Sequence, residues 1–307
     1  MIVEVSGVSH RYQTQPVLNQ VSFAVPQGRV VGLVGPNAAG KSTLMRALVG
    51  QLVPTEGDIK ILGRDVRREA RSLREVVGFL PERADVYPEL CVWEYLDLFA
   101  AIAGHHGKMR RERIDAALES AGMIGRAEAA TRELSKGLRQ RLALAAVLMH
   151  DPAVVVLDEP TDGLDPESRQ ALLNEIRKLA ILGRTVFLSS HVLAEVEQVA
   201  QTTLILVNGQ LRASEASESA TQHVYTMRLR GDLNAALALL QAHPDVSECH
   251  AADGALLLTL KEGVADAAGP ASAVVAAGLA LVELSEQKDS LRRRFARAVG
   301  RTAEELS

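Results

Sequence analysis

Nine consecutive residues have the types and spacing of a phosphate-binding loop. They fit the pattern G-x-x-x-x-G-K-[ST], and we assign all nine to nucleotide binding: Gly35, Pro36, Asn37, Ala38, Ala39, Gly40, Lys41, Ser42 and Thr43. Glycines let such a backbone curl so that its N–H groups point at phosphate oxygens, and the start of the next helix adds favourable partial charge. We expect Lys41 to reach the β- and γ-phosphates and the Ser42 hydroxyl to contact Mg²⁺. The alternative is a glycine-rich turn that matches the pattern by chance.

Two adjacent carboxylates form a second group that could act on a nucleotide. Asp158 and Glu159 follow the apolar run Val154–Leu157, which is typical of a buried parallel strand. Ligands of open α/β sheets bind at the carboxyl ends of the strands. We therefore expect Asp158 to hold Mg²⁺ and Glu159 to orient or deprotonate the attacking water. The alternative is a strand followed by two solvated acids.

The segments around these residues predict the elements that hold them in place. Residues 29–34 are predicted as a buried strand that leads into the loop, and residues 44–49 as the helix that leaves it. Between residues 153 and 207, strand-like and helical patterns alternate, which predicts a parallel sheet flanked by helices. Residues 2–34 predict several short antiparallel strands, and residues 85–150 a mostly helical insertion. The predicted fold class is α/β: a P-loop NTPase core with an antiparallel β subdomain and a helical insertion.

The last third of the chain predicts a second, smaller domain. Residues 213–222 are polar and small, and we interpret them as a linker. Residues 223–284 then show the order strand, helix, strand, strand, helix, strand, which is the ferredoxin-like arrangement. We therefore divide the chain into an ATP-binding domain at 1–212, the linker at 213–222, and an α+β C-terminal accessory domain at 223–307 with a terminal helix.

Composition narrows the function classes. The 307 residues carry a formal net charge of −4, so no overall basic field indicates nucleic acid as a partner. The two cysteines are far apart, so neither a disulfide framework nor a zinc site is indicated. No apolar run reaches the roughly 18 residues that a membrane span needs, so a second chain must supply any span. The pairs His105-His106 and Arg110-Arg111 are expected to be exposed.

Further motifs resemble those of the ATP-binding subunits of ABC transporters, over residues 2 to about 212. Where that family has its signature L-S-G-G-Q, this chain has Leu134-Ser135-Lys136-Gly137-Leu138-Arg139-Gln140-Arg141. The resemblance implies that two subunits sandwich two ATP molecules. It also implies that Ser135, Lys136 and Gly137 close on the γ-phosphate of ATP bound by the partner. The alternative for Ser135 is that it only caps its helix.

Three other positions take roles from the same resemblance. Asp165, in Gly163-Leu164-Asp165, matches the D-loop that crosses the dimer interface. His191 matches the switch histidine that contacts the γ-phosphate, and Tyr12 matches the aromatic residue that stacks on adenine. A histidine or tyrosine near a strand end can instead be purely structural, and that alternative stays open for both residues.

The chain departs from the family pattern at four positions. Lys136 and Leu138 replace the second glycine and the glutamine of the signature, and Lys136 either adds charge near the phosphates or points to solvent. Ala38 replaces a glycine of the loop, which is a mild change if its φ is negative. Glu82 stands at the Q-loop glutamine, and because a carboxylate can also approach Mg²⁺, we include it among the ATP and metal residues.

Aromatic and apolar residues follow Glu82, and two interpretations of them stay open. They are Tyr87, Leu90, Trp93 and Tyr95. In the family this region forms the groove that receives a coupling helix of the membrane subunit, and Trp and Tyr suit such an anchor. The alternative is core packing of the helical insertion.

The variants at Glu82 and Lys136 resemble a branch of bacterial exporters with separate membrane and ATPase subunits. The resemblance implies an ATP- and Mg²⁺-dependent subunit that hydrolyses ATP at a dimer interface, either homodimeric or heterodimeric. Hydrolysis would power export of a small molecule through a separate transmembrane permease, with the subunit peripheral at the cytoplasmic face of the inner membrane. The alternative is a soluble or regulatory ABC-type ATPase that is not coupled to transport.

Overall fold

The computed structural model describes residues 1–83, 86–214, 224–252, 254–261, 263–264, 266–287 and 291–300. The chain forms two compact units, Met1–Ala216 and Ser217–Ser307, and each is described by itself. The predicted linker lies outside the described residues from residue 215 onward. Among the described residues, no helix combines the length and the apolar character that crossing a bilayer requires.

The first unit contains seventeen helices and strands within its described residues. In chain order they are β1 (Val3–Tyr12), β2 (Gln15–Val25), β3 (Val30–Val34), α1 (Lys41–Leu48), β4 (Glu56–Ile61), β5 (Arg64–Asp65), α2 (Ala70–Leu73), β6 (Val77–Leu80), α3 (Val92–Ile102), α4 (Gly107–Ser120), α5 (Lys136–Val147), β7 (Val154–Leu157), α6 (Pro166–Ile181), β8 (Thr185–Ser190), α7 (Leu193–Val199), β9 (Thr202–Val207) and β10 (Gln210–Ser214). Short 3₁₀ turns at Ile124–Arg126 and Thr131–Glu133 connect α4 to α5.

A six-stranded sheet forms the centre of this unit, in the order β10-β9-β3-β8-β7-β6. Its neighbouring strands are parallel except for β10, which pairs antiparallel with β9. Strand β7 is buried on both faces: Val154 and Val156 belong to one hydrophobic cluster, and Val155 and Leu157 belong to another. This two-sided burial explains the continuous apolar run in the sequence.

A four-stranded antiparallel sheet, in the order β2-β1-β4-β5, shares a hydrophobic cluster with α1 and one face of the central sheet. The antiparallel strands predicted in residues 2–34 are confirmed, but they are longer than predicted, since β1 and β2 have 10 and 11 residues, and β3 joins the central sheet instead. Register shifts between Val5 and Val8 and between Val8 and His10 interrupt the alternation of side chains in β1. Such irregularities make one long strand resemble several short ones in the sequence.

Helices α3, α4 and α5 form the predicted helical insertion, around a hydrophobic cluster of their own. Helix α3 begins with a capping box: the Cys91 sulfur accepts from the Glu94 backbone N–H, and the Glu94 carboxylate accepts from the Cys91 N–H. Helix α5 begins at Ser135, its N-cap, and so places the signature segment at the start of a helix.

The second unit has the predicted order of elements. They are β11 (Val224–Arg230), α8 (Leu233–Gln241), β12 (Val246–Ala252), β13 (Ala255–Leu260), α9 (Ala268–Ala276), β14 (Ala280–Gln287) and α10 (Leu291–Val299). The sheet is antiparallel in the order β12-β13-β11-β14, which is the ferredoxin-like order. Tyr225, Met227 and Leu229 alternate along β11 and join residues of α8 and α9 in one core.

Candidate functional site

The predicted phosphate-binding loop connects β3 to α1, in the strand–loop–helix context that its pattern requires. Both glycines of the pattern are required by close packing. A Cβ on Gly35 would lie 2.3 Å from the Leu206 carbonyl oxygen, and a Cβ on Gly40 would lie 2.8 Å from that of Val17. Gly40 also has a φ of +103°, which residues with a side chain rarely adopt.

Ala38 in this loop has a φ of +61°, so the negative φ that would have made its replacement of glycine mild is absent. A left-handed backbone conformation strains a residue with a Cβ by about 1 kcal/mol or more. The loop therefore holds Ala38 in a conformation that glycine would adopt more readily.

Lys41 is the first residue of α1 and is only 7% exposed. Its Nζ donates to the carbonyl oxygens of Gly35 at 2.8 Å and Pro36 at 3.4 Å. The same Nζ lies 3.5 Å from Glu159 Oε1. A buried ammonium needs such partners to offset its desolvation, so these contacts fix its position. Lys41 thus joins the phosphate-binding loop to the Glu159 carboxylate after β7.

One hydroxyl that the sequence analysis missed binds both acidic residues, at the carboxylate of Asp158 and at the backbone of Glu159. Ser189 Oγ donates to Asp158 Oδ1 at 2.6 Å and accepts from the Glu159 backbone N–H at 2.8 Å. Ser189 is fully buried in β8, the neighbour of β7 in the sheet. A signal was available, because Ser189 and Ser190 end an apolar strand directly before His191. Ser189 therefore fixes the place where the two carboxylates leave the sheet.

Glu159 and His191 face each other at the ends of these strands. His191 Nδ1 lies 2.8 Å from Glu159 Oε2, and the His191 backbone N–H donates to the same oxygen at 3.2 Å. Glu159 has a φ of +46°, so it is a second strained residue of the site. The carboxylate is therefore oriented from both sides, by His191 at one oxygen and Lys41 near the other.

A cavity of about 720 Å³ brings most of the predicted ATP-binding residues together. It is lined by Tyr12, Gln15, Val17, residues 37–43, Glu82, Glu159, Asp162 and His191. Its volume is in the range of small-molecule sites, roughly 300–1,000 Å³. Gly35, Pro36 and Asp158 are not part of this lining. A second, mostly apolar cavity of about 460 Å³ lies between α4, α5 and α6, but no residue of the phosphate-binding loop lines it.

Tyr12 and Glu82 both reach the cavity, as the resemblance predicted, although their roles there stay predictions. Tyr12 is the last residue of β1 and is 45% exposed, and its ring packs edge-on against His10 with the centroids 4.7 Å apart. Glu82 is exposed two residues after β6. Their positions leave an aromatic face and a carboxylate available to a ligand in the cavity.

The signature segment, Ser135–Leu138, does not line this cavity. Ser135 Oγ caps α5 by accepting from the Leu138 N–H at 3.3 Å. A Cβ on Gly137 would lie 2.3 Å from Ser168 Oγ, so packing against α6 requires glycine at this position. Lys136 Nζ lies 3.8 Å from Asp162 Oδ2. The segment therefore has structural tasks within its own chain, and its role towards a partner's ATP stays a prediction.

Asp165, the predicted D-loop residue, lies outside the cavity lining and caps α6. Its Oδ1 accepts from the Ser168 backbone N–H at 2.9 Å. This hydrogen bond, together with one from the Ser168 side chain, lowers the pKa of Asp165 below its ordinary value. The helix start is thus held by an ionised carboxylate.

The residues predicted to form the groove for the membrane subunit differ in their exposure to solvent. Tyr87 is 52% exposed and Trp93 is 39% exposed. Tyr95 is 4% exposed and its ring centroid lies 4.9 Å from that of Phe99, so core packing is the correct interpretation for Tyr95. Burial, with Tyr87 nearby, raises the pKa of Tyr95 to about 12. Leu90 packs against the same cluster, which leaves Tyr87 and Trp93 as exposed candidates.

Two residues expected to be exposed are instead tied into the helical insertion. His105 Nε2 lies 2.8 Å from the Met149 carbonyl oxygen. Arg110 on α4 forms a two-point ion pair with Asp97 on α3. The expectation of exposure was therefore wrong for His105 and Arg110, because their partners come from other segments of the insertion.

Comparisons with known proteins were made by sequence and by structure. A family model described as ABC transporter matches residues 18–162. The chain is 36% identical over 208 residues to the Nod factor export ATP-binding protein I of Ralstonia nicotianae (strain ATCC BAA-1114 / GMI1000), and the match covers 68% of this chain and 65% of that protein. It is 34% identical over 222 residues to the uncharacterized ABC transporter ATP-binding protein YdbJ of Bacillus subtilis (strain 168), covering 72% of this chain and 71% of that protein.

A solved structure is similar to the chain as well. It is described as the dimeric, post-hydrolysis state of the ATP-binding cassette MJ0796 bound to ADP and Pi. The TM-score is 0.63 at 25% identity, and the match covers 69% of this chain and 97% of that one. The cassette therefore has a counterpart of nearly its full length within this chain, whereas the chain spans just under two thirds of the Ralstonia relative.

Proposed function

The chain belongs to the ABC transporter family as one of its ATP-binding proteins, and from this premise we propose that it hydrolyses ATP to power an exporter. Two copies, or one copy and a related chain, sandwich two ATP molecules at their interface. Closing of the pair on ATP and its reopening after hydrolysis drive a separate membrane permease that exports a small molecule. The subunit then lies at the cytoplasmic face of the inner membrane, held there by the permease.

The position of the Glu159 carboxylate carries the proposal. Glu159 lines the same cavity as the phosphate-binding loop, with one oxygen 2.8 Å from His191 Nδ1 and the other 3.5 Å from Lys41 Nζ. A carboxylate so placed can take a proton from water as the water oxygen attacks the γ-phosphorus. The bond from the γ-phosphorus to the bridging oxygen breaks, ADP leaves with that electron pair, and phosphate is released.

Lys41 and His191 have different tasks in this step. The Lys41 ammonium lies between Glu159 and the carbonyl oxygens of the loop. Anionic phosphate oxygens attract an ammonium more strongly than carbonyl oxygens do, so ATP binding draws Lys41 towards the phosphates. The Glu159 oxygen that faces Lys41 is then available to accept a proton from water. His191 keeps the same carboxylate in place through its ring and its backbone N–H.

The oxygen donors at the site fit Mg²⁺. Ser42 and Glu82 line the cavity, and Asp158 follows β7 with one carboxylate oxygen bound to Ser189. Hydroxyl and carboxylate oxygens are the donors that Mg²⁺ prefers, with phosphate oxygens and water as further ligands. We propose that Ser42, Asp158 and Glu82 hold the ion directly or through water. When bound there, the ion would supply positive charge beside the β- and γ-phosphates.

The signature segment supports the sandwich of two subunits. Ser135 and Lys136 are exposed at the start of α5 and do not line the cavity of their own chain. A helix start with exposed donors suits an anion supplied from outside. On the sandwich model, Ser135, Lys136 and Gly137 complete the ATP site of the partner, and Asp165 lies at the interface. The exposed rings of Tyr87 and Trp93 are the proposed contact for the permease.

Phosphate release by the purified chain tests the proposal. We expect Glu159→Gln to lower kcat by about 100-fold or more, because an amide cannot accept the proton, while the Kd for ATP changes little. The same variant should accumulate as an ATP-bound dimer in size-exclusion chromatography. Glu175→Gln, which changes a carboxylate paired with Lys178 on α6, is the matched control and should leave the rate unchanged. Equal rates for the wild type and Glu159→Gln would remove the catalytic assignment.

A further inference from the structure

Glu195 is a buried carboxylate that does not line the nucleotide cavity. It is 4% exposed in the first turn of α7, four residues after His191. A charged side chain is rarely buried unless it is paired, because its desolvation costs several kcal/mol. The partners of Glu195 therefore show which parts of the molecule it holds together.

Three different segments contact this one carboxylate. Its Oε2 accepts from Thr161 Oγ at 2.6 Å and from Ser190 Oγ at 3.0 Å. Its Oε1 lies 3.1 Å from Arg169 Nε. That contact is close enough for an ion pair, although neither atom has a hydrogen-bond partner of good geometry. Glu195 is thus held mainly by the two hydroxyls and is neutralised by Arg169.

Each partner belongs to a segment of the proposed ATPase site. Thr161 lies between Glu159 and the D-loop residue Asp165. Ser190 directly precedes His191. Arg169 lies in the first turns of α6 and also donates to the carbonyl oxygen of Leu164, inside the D-loop, at 3.2 Å. One buried carboxylate therefore joins the His191 loop to the D-loop.

We propose that Glu195 is a positioning residue for ATP hydrolysis that couples the D-loop to the His191 loop. This inference rests on the proposed function. Because Thr161 and Ser190 donate to the same oxygen, a displacement of the D-loop by a partner subunit shifts Ser190 through Glu195. The shift is passed to His191, the next residue, and hence to the Glu159 carboxylate that His191 holds.

Glutamine is the sharpest substitution at this position because it keeps the size of the side chain. If the amide oxygen stays near Thr161 and Ser190, the amide N–H groups face the Arg169 guanidinium. Two hydrogen-bond donors then face each other without an acceptor. If the amide is reversed, its N–H groups face the two hydroxyls. Ser190 Oγ already accepts from the Val192 N–H and needs an acceptor for its own proton. Each orientation of the amide therefore loses either the contact with Arg169 or the hydrogen bonds from Thr161 and Ser190.

The test compares Glu195→Gln, Thr161→Val and Ser190→Ala with the wild type in the full chain. Thr203→Val is the matched control for Thr161→Val, because Thr203 is 5% exposed in β9 and has no part in these contacts. We expect Glu195→Gln to lower kcat about tenfold per folded molecule and to leave the Kd for ATP within about twofold. Thr161→Val should shift the His191 ring resonances in the NMR spectrum, whereas Thr203→Val should not.

The outcomes separate the inference from simpler explanations. A drop in activity that only follows the folded fraction, measured by circular dichroism, would show a purely structural role and overturn the inference. Unchanged His191 resonances in Thr161→Val would overturn it as well. If the wild type releases no phosphate, the proposed function fails. If the wild type is active and Glu195→Gln has the same kcat, only the role of Glu195 fails.

Discussion

The P-loop cluster (Lys41, Glu159 and His191) and the signature segment (Ser135–Leu138) belong to the same proposed chemistry but are built differently. In the P-loop cluster, the partners already meet within one chain: His191 Nδ1 lies 2.8 Å and Lys41 Nζ 3.5 Å from oxygens of one carboxylate. In the signature segment, Ser135 caps its own helix and Gly137 packs against α6. The difference shows that polar groups can be brought together before ATP binds where a buried sheet supports them. On the sandwich model, the signature segment is the other half of the site, and its ligand is ATP bound by another subunit.

The largest expected effect comes from removing the charge of the P-loop cluster. Lys41→Ala should weaken ATP binding by about 100-fold or more, because the ammonium is the buried cation beside the loop. Equilibrium binding of a fluorescent ATP analogue measures this effect. Lys178→Ala, which changes an exposed lysine on α6, is the control and should bind as the wild type does. Wild-type affinity in Lys41→Ala would place the phosphates elsewhere.

Mixing two inactive variants tests whether the two regions complete each other across a dimer. Lys41→Ala retains an intact signature segment, and Ser135→Ala retains an intact P-loop cluster. Half of randomly formed dimers are mixed and each of these has one complete site, so the mixture should recover about a quarter of the wild-type rate. Phosphate release is measured before and after mixing. A rate no higher than the average of the separate variants would show that each site is built within one chain.

Gly137→Ala should affect stability more than ATP binding, in contrast to Lys41→Ala. The added Cβ would lie 2.3 Å from Ser168 Oγ and 2.5 Å from Ser168 Cβ. We expect a loss of about 1–3 kcal/mol in the free energy of unfolding, measured by urea denaturation. Ser168→Gly in the same chain should recover part of the loss, because it removes both of these atoms. Without such recovery, the contact between α5 and α6 is not the cause.

Ala38→Gly should give a smaller effect of the opposite sign. Glycine adopts a φ of +61° without strain, so we expect the free energy of unfolding to rise by up to about 1 kcal/mol. Ala39→Gly is the matched control, because Ala39 is buried and is not among the residues with a positive φ. That variant should be destabilised. Equal changes in the two variants would contradict strain at Ala38.

The effect that is smallest at neutral pH is expected in the helical insertion that carries the signature segment. The pKa of Tyr95 is raised to about 12 in the folded chain, from an ordinary value of 10.0. The stability that this shift contributes is fully present below pH about 10 and is lost as the pH rises towards 12. Tyr95→Phe should therefore flatten this part of the stability curve, measured by thermal unfolding. Tyr12→Phe, at an exposed ring that is not among the causes of the Tyr95 shift, should leave the curve unchanged.

The sequence predicted most of the P-loop cluster because its residues follow motifs whose context is local. The loop lies between an apolar strand and a helix, and Glu159 follows four apolar residues. The contacts Ser189–Asp158 and Glu195–Thr161 were not predictable in the same way, since their partners lie 31 and 34 residues apart in the chain. The pairing of β7 with β8 brings the ends of these segments together.

Other features were hidden for different physical reasons. The pattern of the loop does not reveal the backbone angle of Ala38, because alanine is compatible with either sign of φ at different cost. The sequence alone distinguishes the buried Tyr95 from the exposed Trp93. Val92, Tyr95 and Leu96 recur at helical spacing and are buried, whereas Trp93 lies off that stripe. The family resemblance had grouped the rings by type instead of by helix face.

The two-sided burial of β7 has a consequence for the order in which parts of the enzyme unfold. A strand enclosed by two cores opens to solvent only when the whole domain unfolds, so its amide protons should exchange with deuterium among the slowest in the chain. Glu159 is attached to the end of that strand. Heat or denaturant should therefore displace the proposed catalytic carboxylate only together with global unfolding. Partly opened molecules that have lost α5 and the signature segment should stop hydrolysing ATP earlier, but should still hold Glu159 in place.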